Sequence, residues 1–182
     1  TDEKWSKKLF QLYQRRNYYK VSKEWVYKEA RHQIIIEEKL EEEEGESLKD
    51  YRMFCFHGSL KVVMVNIGTA TKQGEHAKEV LRSFYTPEFE WIQELRILGD
   101  RAASKRVDKP KNWDKMVEIA EKLSQPFAFC RVDLYNVTGK IYFSEMTFFP
   151  NGGINNIKPD EWGGVFGTWL DLENCKSNEV NQ

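Results

Sequence analysis

Three charged side chains interrupt two otherwise apolar runs in the last third of the sequence. Arg131 and Asp133 lie in the first run and Glu145 lies in the second. Burying charges in a β-sheet costs several kcal/mol unless they are paired or bind a metal. Two carboxylates beside an arginine suit Mg²⁺, which takes one or two carboxylates and shares substrate phosphates that the arginine also contacts. A cross-strand salt bridge between Arg131 and Glu145 explains the same residues, and their spacing alone does not decide between the two.

The loop between the two runs determines whether these charges share one face of a sheet. Residues 127–135 and 141–149 are rich in strand-forming residues and predict the two strands of a hairpin. A two-residue turn at Thr138-Gly139 would put Asp133 and Glu145 on opposite faces, because side chains alternate along each strand.

A longer loop gives a different result. With three loop residues over 137–139 and Gly139 in the left-handed conformation, Arg131 would pair with Glu145. Asp133 would then lie diagonally on the same face. Of the two registers, this one gathers the charges, so the metal-site hypothesis predicts the three-residue loop.

The N-terminal third is predicted to contain a helix, a strand and an exposed loop. From residue 2 to 19, apolar residues recur at helical spacing and predict a surface helix packed on one side. Ile34 to Ile36 form a β-branched run that predicts a buried strand. Residues 41–46 are five glutamates and one glycine, which is typical of an exposed loop. The apolar residues of the helix are Trp5, Leu9, Leu12 and Tyr13.

The remaining segments predict an α+β fold with an antiparallel sheet. Residues 50–66, with a turn signal at 57–59, predict a first hairpin, and residues 112–124 predict an amphipathic helix capped by Asn112. Residues 68–111 are polar and rich in breakers, so we expect an irregular or mobile region there. Trp162 and Trp169 are expected to lie on a packed helix face.

Composition restricts the class of protein. A chain of 182 residues fits one domain, which we place at residues 1–172, followed by a polar tail at 173–182. The net charge of -1 argues against nucleic acid or an anionic membrane as a partner. Three single cysteines do not form a disulfide framework, and three distant histidines do not match zinc spacing. The sequence has no long apolar run and no secretory start, so we expect a cytoplasmic protein that does not insert into membranes.

Longer motifs carry a resemblance to a known family. RVDLYNVTGKIYFSEMTFFPNGG, residues 131–153, resembles the metal-binding hairpin of ATP-grasp ligases, which include D-alanine:D-alanine ligase and the glutamate ligases of ribosomal protein. RHQIIIEEKL, residues 31–40, and DYRMFCFHG, residues 50–58, are similar to the strand and hairpin that hold adenine and ribose there. Residues 109–148 look most like the TupA-like ATP-grasp family, and the likeness covers roughly residues 18–172.

The resemblance implies a role for each matching residue, with ATP and Mg²⁺ as cofactors. Around the base and ribose, Glu37 would accept the adenine amino group, the Lys39 and Leu40 backbone would bracket the ring, and Asp50 would take the ribose hydroxyls. At the phosphates, Arg52 would be a basic contact and Arg131 would steady the transferred phosphoryl group. The magnesium ligands would be Asp133 and Glu145.

The chain also departs from the pattern of that superfamily. Thr147 stands where a further metal ligand is usually asparagine, although its hydroxyl still offers one oxygen. Asn151 stands where relatives often have glycine beside the reacting acyl group, and Gly152 and Gly153 follow with open backbone amides. No phosphate-gripping lysine and glycine-rich loop precede the matched residues, so we expect only the C-terminal portion of an ATP-grasp fold, with another segment or partner chain completing the site.

The implied reaction is ATP- and Mg²⁺-dependent joining of a carboxylate to an amine through an acyl phosphate. In the TupA-like family this is associated with cell-surface polymers, so small or glycan-linked carboxylates and amines are the expected substrates. Two alternatives stay open. One is a kinase that phosphorylates a hydroxyl, and the other is a non-catalytic nucleotide-binding or interaction module, because a fold does not fix a function.

Overall fold

The structure is a computed structural model that describes residues 3–15, 17–31, 33–38, 40, 47–68, 81–97, 104–153 and 156–173. Four α-helices and eight strands lie in these residues. Two short 3₁₀ turns, at Trp25–Tyr27 and Pro150–Gly153, complete the elements. The helices are α1 (Glu3–Arg15), α2 (Tyr18–Ser22), α3 (Trp113–Ser124) and α4 (Glu161–Trp169). The strands are β1 (Lys49–Phe56), β2 (Ser59–Ile67), β3 (Leu81–Tyr85), β4 (Trp91–Ile92), β5 (Arg96–Ile97), β6 (Phe129–Val137), β7 (Lys140–Thr147) and β8 (Ile157–Lys158).

A six-stranded sheet forms the centre of the fold. Its strand order is β4-β3-β2-β1-β6-β7, and every neighbouring pair is antiparallel. Strands β5 and β8 pair separately as a two-stranded ribbon. The predicted α+β class with an antiparallel sheet and packed helices is therefore confirmed.

One face of the sheet packs on α3 and forms the main core. The alternate residues of the central strands that point this way are apolar and almost fully buried, as the period of two requires. Met116 and Ala120 of α3 meet them at helical spacing, so the predicted amphipathic helix is confirmed. Asn112 precedes this helix, but its side chain makes no capping bond and instead donates to the Gly139 carbonyl at 2.5 Å. The strand residues of this core include Tyr51, Met53, Cys55, Val63, Val65, Cys130, Val132 and Leu134.

The opposite face is apolar at one end and charged at the other. Aromatic rings of β1, β6 and α4 cover the apolar end, with Phe56 lying 5.0 Å from Phe129 and 5.6 Å from Trp169 between ring centroids. Trp162 and Trp169 both pack against this cluster, as expected for a packed helix face. Among the described helices, α4 packs on the aromatic end of this face.

The N-terminal predictions are only partly right. The predicted helix exists as α1, but it ends at Arg15, and Leu12 and Tyr13 are 58% and 56% exposed. The strand predicted at Ile34 to Ile36 is wrong, since Ile35 and Ile36 are 78% and 86% exposed and lie outside any strand. Strand propensity measures how well a side chain fits a paired, half-buried surface, and this run has no partner strand among the described residues.

The segment from residue 68 to 111 is more regular than predicted. It contains β3, β4 and β5, and β3 extends the central sheet beyond β2. The prediction of an irregular region is therefore wrong for these strands. Strand β3 has only five residues, and its pattern is too short to be recognised among the polar residues around it. The exposed loop predicted at 41–46, the residues 69–80 and the tail beyond Glu173 lie outside the described residues.

Two further observations concern the cysteines and the helices. Cys55 and Cys130 are both free and buried, whereas Cys175 lies outside the described residues. Within the ranges that the structure describes, no helix is both long enough and apolar enough to cross a membrane.

Candidate functional site

A β-bulge in the second hairpin gathers the charges that the sequence singled out. The turn has two residues, Thr138 and Gly139, both at positive φ, and it pairs Val137 with Lys140. The predicted three-residue loop is therefore wrong. Regular pairing from such a turn would put Asp133 and Glu145 on opposite faces. The register shifts by one residue between Leu134 and Asp133, however.

The extra residue in the bulge is Ser144. Leu134 pairs with Phe143 and the next residue, Asp133, pairs with Glu145, so that Ser144 has no register partner on β6. A bulge of this kind puts two residues of one strand opposite one of the other and re-aims the side chains that follow. Asp133 and Glu145 therefore face each other directly, and Arg131 faces Thr147.

Arg131 is the centre of the resulting cluster. It is 7% exposed, and its Nε and one terminal nitrogen donate to the two oxygens of Asp133 at 2.7 and 2.6 Å. The same terminal nitrogen donates to Glu145 Oε1 at 2.8 Å and to the Thr147 hydroxyl at 2.9 Å. The cross-strand salt bridge considered as an alternative thus exists, together with a second carboxylate that it does not require.

Strand β1 extends this cluster across the sheet. Arg52 Nε donates to Asp50 Oδ2 at 2.7 Å and lies 3.7 Å from Asp133 Oδ2. Asp50 is 5% exposed, and its second oxygen, Oδ1, is buried without a hydrogen-bond partner. The five charged groups, three carboxylates and two guanidinium groups, sum to one negative charge, which is an arrangement that favours a further cation or donor.

Burial shapes the acid–base behaviour of this cluster. Desolvation raises the pKa of Asp133 to about 6 from its ordinary 3.8, while the hydrogen bond and charge of Arg131 lower it in part. Burial also raises the pKa of the Tyr27 phenol, and the Glu24 and Glu145 carboxylates add to that rise. Tyr27 therefore lies within electrostatic range of the cluster, on a segment that the sequence did not connect with it.

Asp133 should make the stability of the ligand-free protein fall as the pH rises from about 4 to 6. The folded carboxyl keeps its proton to a higher pH than the unfolded one, so the fold binds more protons in this window and loses stability as they leave. Urea unfolding of the wild type and of Asp133→Asn at pH 4, 5, 6 and 7 measures the effect. The variant should gain on the wild type by on the order of 1–3 kcal/mol between pH 4 and 7.

The opposite result has an equally definite meaning. If the wild type gained stability relative to Asp133→Asn as the pH rose, the Arg131 ion pair would outweigh the burial of the carboxyl. Asp114→Asn is a matched control, because Asp114 is almost fully exposed on α3. The loss of this exposed carboxylate should change the free energy of unfolding by much less than the loss of Asp133.

The donor set of the cluster fits Mg²⁺. Asp133 and Glu145 are paired across two strands, and Thr147 Oγ1 lies 3.1 Å from Glu145 Oε1. Hard cations of this kind take carboxylate and hydroxyl oxygens, and Mg²⁺ typically uses one or two carboxylates together with substrate phosphates. Among the described residues, no group of three His, Cys, Asp or Glu side chains could hold a metal, so phosphate oxygens would have to complete the coordination.

The residues that were predicted to bind the substrate lie in the turn that follows β7. Asn151, Gly152 and Gly153 lie in the 3₁₀ turn after β7, are exposed, and all have positive φ. Of the adenine-side residues, Glu37 is exposed and Leu40 is half-buried, both outside any strand, and Lys39 lies outside the described residues. In the part of the chain that the structure describes, Glu37 and Leu40 make no hydrogen bond to the charged cluster.

Sequence reasoning missed two polar residues beside the cluster. Asn66 on β2 is fully buried and is the register partner of Asp50. Arg82 on β3 is the register partner of Asn66 and donates from Nε to its Oδ1 at 2.8 Å. The available signal was a single asparagine directly after the apolar run Val62 to Val65, where a polar side chain is unexpected.

A comparison with known families identifies an ATP-dependent ligase-type fold of the ATP-grasp kind. The model of one family, described as TupA-like ATPgrasp, matches residues 2–170. The chain therefore belongs to the TupA-like ATP-grasp family, as the sequence motifs indicated. No curated protein and no solved structure matches the chain significantly.

Proposed function

We propose that the protein is an ATP- and Mg²⁺-dependent ligase that joins a carboxylate to an amine through an acyl phosphate. One observation carries the proposal, namely that Arg131, Asp133, Glu145 and Thr147 converge across β6 and β7. A purely structural pair would need one carboxylate for one arginine. Family membership supports an ATP-dependent ligase-type fold, and the proposal adds the bond that is formed.

The chain's own residues bind and orient the nucleotide in this proposal. Asp133 and Glu145, with the Thr147 hydroxyl, hold Mg²⁺, which neutralises phosphate charge and orients the transferred phosphoryl group. Arg131, with its planar set of donors, binds the oxygens of that group as negative charge develops on them. Arg52 binds at the phosphate side.

The adenine and ribose are assigned to the other residues of the family motif. Glu37 accepts a hydrogen bond from the adenine amino group, the backbone at Lys39 and Leu40 reads the ring edge, and Asp50 accepts from ribose hydroxyls. The acyl end of the substrate is assigned to the turn of Asn151, Gly152 and Gly153, in which the Gly152 N–H already donates to the Phe149 carbonyl at 2.9 Å.

The proposed reaction has two steps, phosphorylation of the carboxylate and attack of the amine on the acyl phosphate. A carboxylate oxygen of the first substrate attacks the γ-phosphorus of ATP, and the bond to the bridging oxygen breaks to release ADP. The amine of the second substrate then attacks the acyl carbon, inorganic phosphate leaves, and the amine loses a proton to solvent. The proposed substrates are small or glycan-linked, such as a uronic acid and an amino acid, for a cell-surface polymer made from cytoplasmic ATP.

Trapping the acyl phosphate with hydroxylamine tests this function. The protein is incubated with ATP, Mg²⁺, hydroxylamine and either glucuronate, galacturonate or glutamate, and both ADP and the hydroxamate are measured. A ligase should form ADP and hydroxamate in equal amounts with at least one carboxylate. A stable phosphoester with ADP and no hydroxamate would mean a kinase, and no ADP with any carboxylate would contradict the proposed activity.

A further inference from the structure

The N-terminal helix α1 carries large apolar side chains on the surface of the protein. Leu12 is 58% exposed, and Phe10 and Tyr13 are exposed as well. Within the part of the chain that the structure describes, both hydrophobic cores are formed by other elements, without a side chain of α1. Soluble proteins rarely expose neighbouring large apolar residues unless these mark an interaction surface. The exposure of α1 therefore indicates such a surface.

The two sides of α1 differ in chemistry. Successive residues of an α-helix are about 100° apart around its axis, so Leu9, Leu12 and Tyr13 share one face. Lys7 lies opposite this face and Lys8 lies at its edge, and both are exposed. A lysine at such an edge can lay its stem along apolar surface while its ammonium group stays among polar groups. Helix α1 is thus amphipathic, and its polar side is basic.

Basic residues are concentrated in and directly after this helix. Residues 3–28 include eight lysines and arginines but only two glutamates, a formal charge of +6, whereas the whole chain has a formal charge of -1. The net charge of the chain, which argued against an anionic partner, therefore hides a strongly basic segment. A segment that is both basic and apolar complements a surface that offers negative charge beside apolar groups.

The residues after α1 have the same character. Tyr18 and Trp25 are exposed, and Lys28 Nζ lies 4.2 Å from the centre of the Trp25 ring. Tyrosine and tryptophan are enriched where a membrane meets water, because each ring is apolar with one polar end. A bilayer surface places acyl chains beneath phosphate groups and so uses both the apolar face and the charges of α1. The phosphate backbone of a nucleic acid would use the charges alone.

We propose that α1 docks the protein on a membrane surface that contains anionic phospholipids. The helix lies in the plane of the interface, with Leu9, Leu12 and Tyr13 in contact with the acyl chains and the basic residues near the lipid phosphates. Its 13 residues are about 20 Å long, which is too short to cross the hydrocarbon core. This inference goes beyond the proposed function and does not require ligase activity.

Vesicle sedimentation tests the proposal with the whole chain and without nucleotide. The protein is mixed with vesicles of phosphatidylcholine alone, or of phosphatidylcholine and phosphatidylglycerol, at low and at high salt. We expect binding to the anionic vesicles at low salt, and weaker binding at high salt, because salt screens the attraction between surface charges. Failure to bind the anionic vesicles, or equal binding to both kinds, would overturn the proposal.

Variants at exposed positions test the two sides of the helix separately. Lys7→Gln/Lys8→Gln should weaken binding to the anionic vesicles about tenfold or more, and Leu12→Gln about fivefold or more. Lys115→Gln/Lys122→Gln makes the same change of charge at two exposed positions of α3 and should bind as the wild type does. Unchanged binding of the Lys7/Lys8 variant would overturn the role of α1. Binding that depends on these lysines but not on Leu12 would mean a general affinity for polyanions and would overturn membrane docking.

Analytical ultracentrifugation without vesicles tests the competing occupant of this face, a second copy of the chain. The wild type and Leu12→Gln should sediment identically, because the proposed partner is absent from the solution. A wild-type dimer that Leu12→Gln dissociates would assign the apolar face of α1 to self-association and overturn the proposal.

Discussion

Replacing Arg131 with methionine should lower the free energy of unfolding by about 3–5 kcal/mol at pH 7.5, because it strands a buried carboxylate. Asp133 is 2% exposed, and both of its oxygens accept hydrogen bonds from Arg131. In the variant only Arg52, at 3.7 Å, would remain close to it. Methionine fills a similar volume, so lost packing contributes little to this loss.

Urea unfolding followed by circular dichroism measures the effect, and two further variants identify its cause. Arg131→Met combined with Asp133→Asn should recover much of the loss, since the stranded charge is gone. Lys115→Met removes an exposed ion pair with Glu118 and should leave the unfolding free energy almost unchanged. A loss below about 1 kcal/mol in Arg131→Met would mean that Asp133 is not buried as a charged group.

Asp133→Asn should reduce the rate of ATP-dependent acyl phosphate formation by about a thousandfold, which is typical of removing a positioned electrostatic group. The amide keeps the shape of the side chain but removes the negative charge that would bind Mg²⁺. The hydroxamate assay gives the rate, and unfolding at pH 7.5 shows that the variant remains folded.

A matched substitution controls for the loss of a carboxylate as such. Asp114→Asn makes the same change on α3, which packs on the opposite face of the sheet, and should retain the full rate. If Asp133→Asn kept more than a tenth of the wild-type rate, Asp133 would not be a metal ligand and the cluster would be structural.

The central hairpins and α3 could be predicted from the sequence because their patterns are long and regular. Strands of eight or nine residues give enough alternation to place each side chain, and α3 repeats its apolar residues over three turns. The candidate site residues Arg131, Asp133 and Glu145 were found for the same reason, since charges stand out in apolar runs.

The register of the second hairpin could not be predicted, because a bulge leaves no mark in a hydrophobic pattern. Ser144 is one extra residue, and its presence reverses the face of every later side chain. The sequence favoured a longer loop to bring the charges together, whereas the chain uses a short turn and a bulge. Both arrangements gather the carboxylates, so the clustering of the charges was predicted although the register of the hairpin was not.

Contacts between strands that are far apart in the sequence could not be predicted either. Asn66 and Arg82 join the charged face only because β3 and β1 flank β2, and no local pattern predicts that order. The isoleucines at 34–36 have a strong local preference for a strand. They form none, because no neighbouring strand among the described residues pairs with them.

Calorimetry of ATP binding with and without Mg²⁺ tests the central claim most directly. The wild-type chain is compared with the double variant Asp133→Asn/Glu145→Gln, and circular dichroism checks that both are folded. We expect the wild type to bind ATP more tightly with Mg²⁺ than without it, and the double variant to lose this dependence. A folded wild type that binds no ATP, or a double variant that keeps the Mg²⁺ dependence, would contradict the assignment of this hairpin as the nucleotide and metal site.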